Sequence, residues 1–198
     1  MRERFPEELT LRDGSHVTIR PMTGTDGAAL LSFFRALPEE DRQYLRDDVT
    51  RQETVDRFVA SVGDDRVFTL LAVHGDTIVG NGTLYRSHHG WTVHVGEVRV
   101  SVARSQQRNG LGSAIARLLV RHAVNAGLDK LVAEVVDNQI GAKRAFSKLG
   151  FLPEAVLRGH VKDIHGVKRD LVVMTSDVSH IWSTMEAMVA DYSPTVGD

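Results

Sequence analysis

The chain has 198 residues, 42% of them apolar and 25% charged, so one domain with an ordinary hydrophobic core is expected. A formal net charge of −2 offers no bulk attraction for nucleic acid or an anionic membrane, and the absence of cysteine excludes disulfides, thiolate nucleophiles and cysteine zinc sites. No apolar run reaches the roughly 18–20 residues of a membrane helix, and none follows the charged start Met1-Arg2-Glu3-Arg4-Phe5 as in a signal peptide, so a cytoplasmic location is expected.

Residues 1–15 read as a polar segment ending in the turn signal Arg12-Asp13-Gly14-Ser15. A strand over 17–21 follows, stopped by Pro21. Thr23 or Thr25 is the candidate cap of a first helix with Ala28, Leu30, Leu31, Phe33, Phe34 and Leu37 as apolar positions. Pro38 opens a charged second helix over 39–48, and a third over 50–62 presents Val55, Phe58, Val59 and Val62. The pattern then turns to strands, at 67–73, 77–85 and 91–102, with hairpin turns at His74-Gly75-Asp76 and 86–90.

Residues 96–127 hold the most informative stretch. The strand Val98-x-Val100-x-Val102 enters the loop Gln107-x-x-Gly110-x-Gly112, which opens into a helix over 110–126 stopped by Gly127. The first backbone N–H groups of such a helix lack intrahelical partners and sit at its positive dipole end, which suits a phosphate. Residues 130–136 form an unalternating strand, expected to be central and covered on both faces. Asp137 or Asn138 caps a helix ending at Leu149-Gly150, a hairpin spans 151–162 and 168–176, and a short helix over 178–190 precedes a loose tail. Together the elements specify a single α+β domain, a three-layer arrangement of a mixed sheet flanked by helices, over 16–177.

Two nucleotide-binding readings of the glycine loop fail. A P-loop needs Gly-Lys-Ser/Thr, and here Gly112 is followed by Ser113-Ala114. The dinucleotide fingerprint needs a third glycine, and Ile115 stands there.

The glycine loop resembles that of the GNAT superfamily of acyl-CoA N-acyltransferases. Asn138-x-x-x-Ala142-x-x-x-Phe146-x-x-x-Gly150-Phe151 downstream adds to the likeness, which is closest to bacterial protein-lysine acetyltransferase domains. It implies a mixed, mostly antiparallel sheet that splays at its central parallel strand pair, with a bulge in the central strand. It also implies acetyl-CoA as cosubstrate, its pyrophosphate held by the backbone of Gln107, Arg108, Asn109, Gly110, Leu111, Gly112 and Ser113. Val100, Ser101 and Val102 would pair with the pantetheine like an added strand. Asn138 would contact it as well; the competing reading is a helix N-cap.

Glu97 is the base that the resemblance implies; the competing reading is an ion-paired carboxylate, for instance with Arg99. Glu134 is a second inward carboxylate. Phe146 is a further candidate for cofactor contact; it stands where relatives often carry a tyrosine acid, which leaves Ser147 and Tyr85 as weaker candidates for the acid. The acceptor implied is a primary amine, a protein lysine or a small molecule, with direct transfer; a non-catalytic acyl-CoA sensor is the competing class. The protein is expected to be a monomer or homodimer. The nine histidines show no metal-ligand spacing, so no metal is expected, and His122 reads as a core residue. Arg42, Arg46 and Arg51 read as a solvated helix face or, alternatively, a lip of the acceptor channel.

Overall fold

The structure is a computed structural model that describes residues 5–178. The expected helix over 178–190, with Trp182 and Met185, and the tail therefore lie outside the described residues except for Val178. In chain order the elements are β1 (Glu7–Thr10), β2 (His16–Pro21), α1 (Gly27–Ala36), α2 (Glu39–Arg42), α3 (Gln52–Ala60), β3 (Val67–His74), β4 (Thr77–Arg86), β5 (Val95–Val102), α4 (Leu111–Asn125), β6 (Lys130–Val136), α5 (Ile140–Lys148), β7 (Leu152–Lys162) and β8 (Lys168–Asp177), with a 3-10 turn at Arg104–Gln106 between β5 and α4.

The strands form one sheet in the order β1-β2-β3-β4-β5-β6-β8-β7. Every neighbouring pair is antiparallel except β5 and β6. That parallel ladder is short: only Val95, Gly96 and Glu97 pair, with Lys130, Leu131 and Val132. Beyond Glu97, β5 continues along β4 while the rest of β6 pairs with β8, so the two strands diverge and the sheet splays as expected. The expected bulge in β5 is absent, since its register with β4 runs unbroken from Gly96 to Val102.

Helices cover both faces. On one, Ile115, Leu119 and Phe146 from α4 and α5 pack with Ile19, Leu84, Val98 and Leu131 of the sheet. On the other, Leu30, Phe33 and Phe34 of α1 and Val55 of α3 pack with Leu71 and Ile78. Helix α4 lies unusually close to β4. A Cβ at Gly82 would come within 2.2 Å of Ile115 Cγ2, so only glycine permits this approach.

Several boundaries differ from expectation. The polar segment contains β1, an edge strand whose Glu8 accepts hydrogen bonds from Thr18 on β2. The N-cap position of α1 is Asp26, whose carboxylate is held by Arg20, the Thr23 hydroxyl and the Thr23 N–H and not by the helix; neither threonine occupies it. The charged second helix stops after Arg42 because no residue of α2 is buried, and unpacked short helices lack tertiary support. Strand β5 begins at Val95, not Trp91, which is 92% exposed. The N-cap position of α5 is Gln139, whose side chain accepts from the Val136 N–H and not from the helix; neither Asp137 nor Asn138 occupies it. β6 is central, but its second face is only partly covered: Leu131, Ala133 and Val135 are buried on one face, while on the other Val136 is buried, Val132 half-buried and Glu134 open to solvent.

Candidate active site

The loop after β5 makes two sharp turns before α4 begins. Arg108 and Gly110 both take positive φ, 62° and 94°, and Gly110 is the α4 N-cap. Glycine tolerates this conformation, which costs an L side chain about 1–2 kcal/mol. Among the described residues, the N–H groups of 108–113 donate no backbone hydrogen bond, whereas the Gln107 N–H bonds the Arg104 carbonyl at 3.3 Å. The β1–β2 turn docks on this loop. Asn109 Nδ2 donates to Asp13 Oδ2 at 2.6 Å, and the Arg12 N–H donates to the Asn109 carbonyl at 3.3 Å.

The gap beside β5 begins where its pairing to β6 ends. The Ala103 N–H bonds the Val79 carbonyl of β4 at 2.9 Å. Backbone groups alternate in direction along a strand, so those of Val98, Val100 and Val102 face away from β4 into the gap. There the Val102 carbonyl accepts a bond from the Gln107 side chain at 3.3 Å. Ser101 faces Asn81 across the β4–β5 pair, and Asn81 Nδ2 is buried without a hydrogen-bond partner.

Glu97 lies at the narrow end of the gap, with its side chain about three-quarters buried. Its Oε1 accepts from Arg99 Nε at 2.7 Å and lies 3.3 Å from Arg46 Nη2. The same Arg46 nitrogen donates to Glu134 Oε2 at 2.5 Å. Burial works against the charge of Arg46, but Glu134 and Glu97 outweigh it and hold the guanidinium above its ordinary pKa. Tyr85, the cross-strand partner of Glu97, lies under Arg99 at 4.6 Å, and burial raises its phenol pKa against the opposing charge of Arg99.

The segment 41–46 runs over the gap and is tied to both sides of it. Gln107 donates to Asp41 at 3.3 Å, Asn138 donates to the Tyr44 hydroxyl at 2.6 Å, and the Ile164 N–H donates to the Gln43 side chain at 2.7 Å. Three of the expected site side chains, Glu97, Gln107 and Asn138, thus share one covering segment. Sequence reading did not single out Tyr44, Asp41 or Gln43, because they carry no periodic or motif signal. Arg46 was visible only as one arginine of a basic run.

Phe146 is 7% exposed and packs edge-to-face on Phe151 at 5.1 Å, so its ring belongs to the core. Ser147 is exposed on the next position of α5. His122 stacks on Phe68 with ring centroids 3.6 Å apart, as a packing residue does. Among the described residues no group of His, Asp and Glu is arranged to hold a metal, and no helix is long and apolar enough to cross a membrane.

The family model for the acetyltransferase (GNAT) family matches residues 30–151, well over half of the chain. The chain belongs to the GNAT acetyltransferase family. A search of curated protein sequences gives no match. Solved structures of this family share the fold. A GNAT acetyltransferase from Streptococcus pneumoniae superposes with TM-score 0.70 at 21% identity, over 81% of this chain and 99% of that one. The GNAT domain of PAT from S. lividans gives 0.71 at 22%, over 86% and 96%. A putative acetyltransferase from Salmonella typhimurium, solved with its cofactor acetyl-CoA, gives 0.71 at 18%, over 83% and 95%. GNAT acetyltransferases use acetyl-CoA and act on amines; the loop before α4 and the β5–β6 gap lie within the matched region of this chain.

Proposed function

We propose that this protein transfers an acetyl group from acetyl-CoA directly to a primary amine, with Glu97 as the base. The observation that carries the reading is the continuity of the β5–β6 gap. It starts at Glu97, runs along the unpaired edge of Val98, Val100 and Val102, and leads toward the unengaged N–H groups of 108–113. The residues fit coenzyme A. Six amides at a helix N-terminus suit a pyrophosphate, and the absence of Cβ atoms at Gly110 and Gly112 leaves the backbone approachable. The free edge of β5, with Ser101 between Val100 and Val102, suits the amides of pantetheine, and Asn138 stands at the far side of the gap. Phe146, the remaining candidate contact, packs in the core against Phe151 and is not required by this reading.

Acetyl-CoA supplies an activated thioester. The acceptor must lose its ammonium proton before it attacks. A free lysine with pKa about 10.4 pays on the order of 4–5 kcal/mol to be neutral at pH 7. Glu97 takes the ammonium proton, and the freed lone pair of the amine nitrogen attacks the acyl carbon; the carbon–sulfur bond then breaks with its electron pair on sulfur, and the second nitrogen proton passes to that thiolate, leaving a neutral amide and the free thiol. A thiol of pKa about 8.5 leaves readily, so no strong acid is required. Tyr85, protonated and next to Glu97, is the side chain best placed to give a proton.

The acceptor is a protein lysine or a small amine. The test is coenzyme A release with an amine panel and with protein lysate. Glu97→Gln is expected to lower kcat/KM roughly 10²- to 10⁴-fold at pH 7; unchanged turnover removes Glu97 as base. The second reading, an acyl-CoA-binding module without catalysis, is favoured by the two guanidinium groups on Glu97. It predicts acetyl-CoA binding with no release on any acceptor.

A further inference from the structure

Arg46 spans two carboxylates at the opening of the splay. Its guanidinium bridges Glu97 on β5 and Glu134 on β6, at 3.3 and 2.5 Å. Glu97 pairs with Val132, and Glu134 lies two residues further along β6, so the two carboxylates flank the opening of the splay. Each is reached by solvent: their side chains are 26% and 31% exposed.

Arg46 sits in the irregular run between α2 and α3, and its side chain is 49% exposed. Ion pairs this open are weak, because water screens the attraction and ordering two long side chains costs entropy. Arg99, by contrast, is on β5 itself and holds Glu97 from beneath while stacking on Tyr85. The charge of Arg46 is met by two carboxylates, so it has little left to recognise an acceptor anion.

We propose that Arg46 determines acceptor specificity as an internal competitor: its guanidinium holds the ammonium position between Glu97 and Glu134, and a cationic primary amine enters by displacing it. This rests on the reading of Glu97 as the base. Arg46 is then a positioning residue that keeps the carboxylates apart from solvent cations until an acceptor arrives. Amines that carry a nearby carboxylate gain nothing, since displacing Arg46 exposes them to two negative charges.

The test is calorimetric titration of wild type, Arg46→Met and Arg46→Lys with butylamine and with 4-aminobutanoate, each with and without saturating coenzyme A. Butylamine is expected to bind roughly five- to tenfold more tightly to Arg46→Met, with Arg46→Lys returning toward wild type. 4-Aminobutanoate is expected to bind Arg46→Met at least as well as wild type. In turnover with acetyl-CoA, the same variant lowers KM for butylamine with little change in kcat. Unchanged or weaker butylamine binding to Arg46→Met overturns the proposal. So does a loss of 4-aminobutanoate binding, which would make Arg46 an anion clamp. Failure to bind coenzyme A counts against the proposed function, while the effect of Arg46 on amine binding is still read without it.

Discussion

Asp26 shows how much a single side chain contributes to this fold. Its carboxylate receives two bonds from Arg20 and two from Thr23, at 2.7–2.8 Å, and is almost fully buried. The Arg20 hydrogen bonds, helped by Thr23 and opposed by burial, lower its pKa from 3.8 to about 2. A depressed carboxylate pKa stabilises the fold above the unfolded value and ceases to do so as pH falls through the folded one. The contribution, about 2 kcal/mol, is therefore complete above pH about 5 and lost between pH about 4 and 2. Urea unfolding of Asp26→Asn against wild type is expected to give that difference at pH 6 and close to none at pH 2. The carboxylate at Glu97 answers to different neighbours. Arg99 is fixed on its own strand and was visible from sequence parity; Arg46 comes from a segment about fifty residues away and was not.

At the scale of elements, α4 organises the site. Its buried residues Leu111, Ile115, Leu118 and Leu119 set its height over the sheet, and that height sets where its N-terminal amides point. Gly82 is the contact that fixes the approach. Gly82→Ala drives a methyl into Ile115 and is expected to cost roughly 1–3 kcal/mol in urea unfolding. Because α4 must lift to relieve the clash, affinity for coenzyme A is expected to fall as well, measured by calorimetry on the folded variant. The loop itself is braced from outside the motif by the β1–β2 turn through Asp13 and Arg12. That turn was legible as Arg12-Asp13-Gly14-Ser15, but its role as a brace was not, since a turn signal says where a chain reverses and not what it lands on.

At the scale of the whole molecule, the segment 41–46 joins parts of the chain that are otherwise separate: the loop before α4, the start of α5, the β5–β6 opening and the β7–β8 turn. Hydrogen exchange gives a test. On addition of coenzyme A, amides of 108–113 are expected to slow, because they acquire acceptors, while those of the outer strand β7 remain unchanged. Slowing confined to other segments would move the phosphate elsewhere.

Local chemistry makes most of the strands, α4, the glycine turn at Gly110 and the family resemblance legible in the amino-acid sequence, because periodicity and positive-φ glycines act within a few residues; the short edge strand β1, too polar to show a period, is not. The same locality limits the reading. Residues 39–48 carry helical composition, but a helix persists only if a face is buried, and no part of α2 is. Asn138 has the chemistry of a cap, yet its amide bonds Tyr44 from the opposite layer. The sequence by itself determined the glycine turn that opens α4 and the order of strand, loop and helix by which the family is known. Only the tertiary structure decided that the sheet parts immediately beyond Glu97, and that Arg46 fills the opening. Both depend on pairings between residues far apart in the chain, whose cost is the closure of long loops and whose outcome no short window of residues encodes.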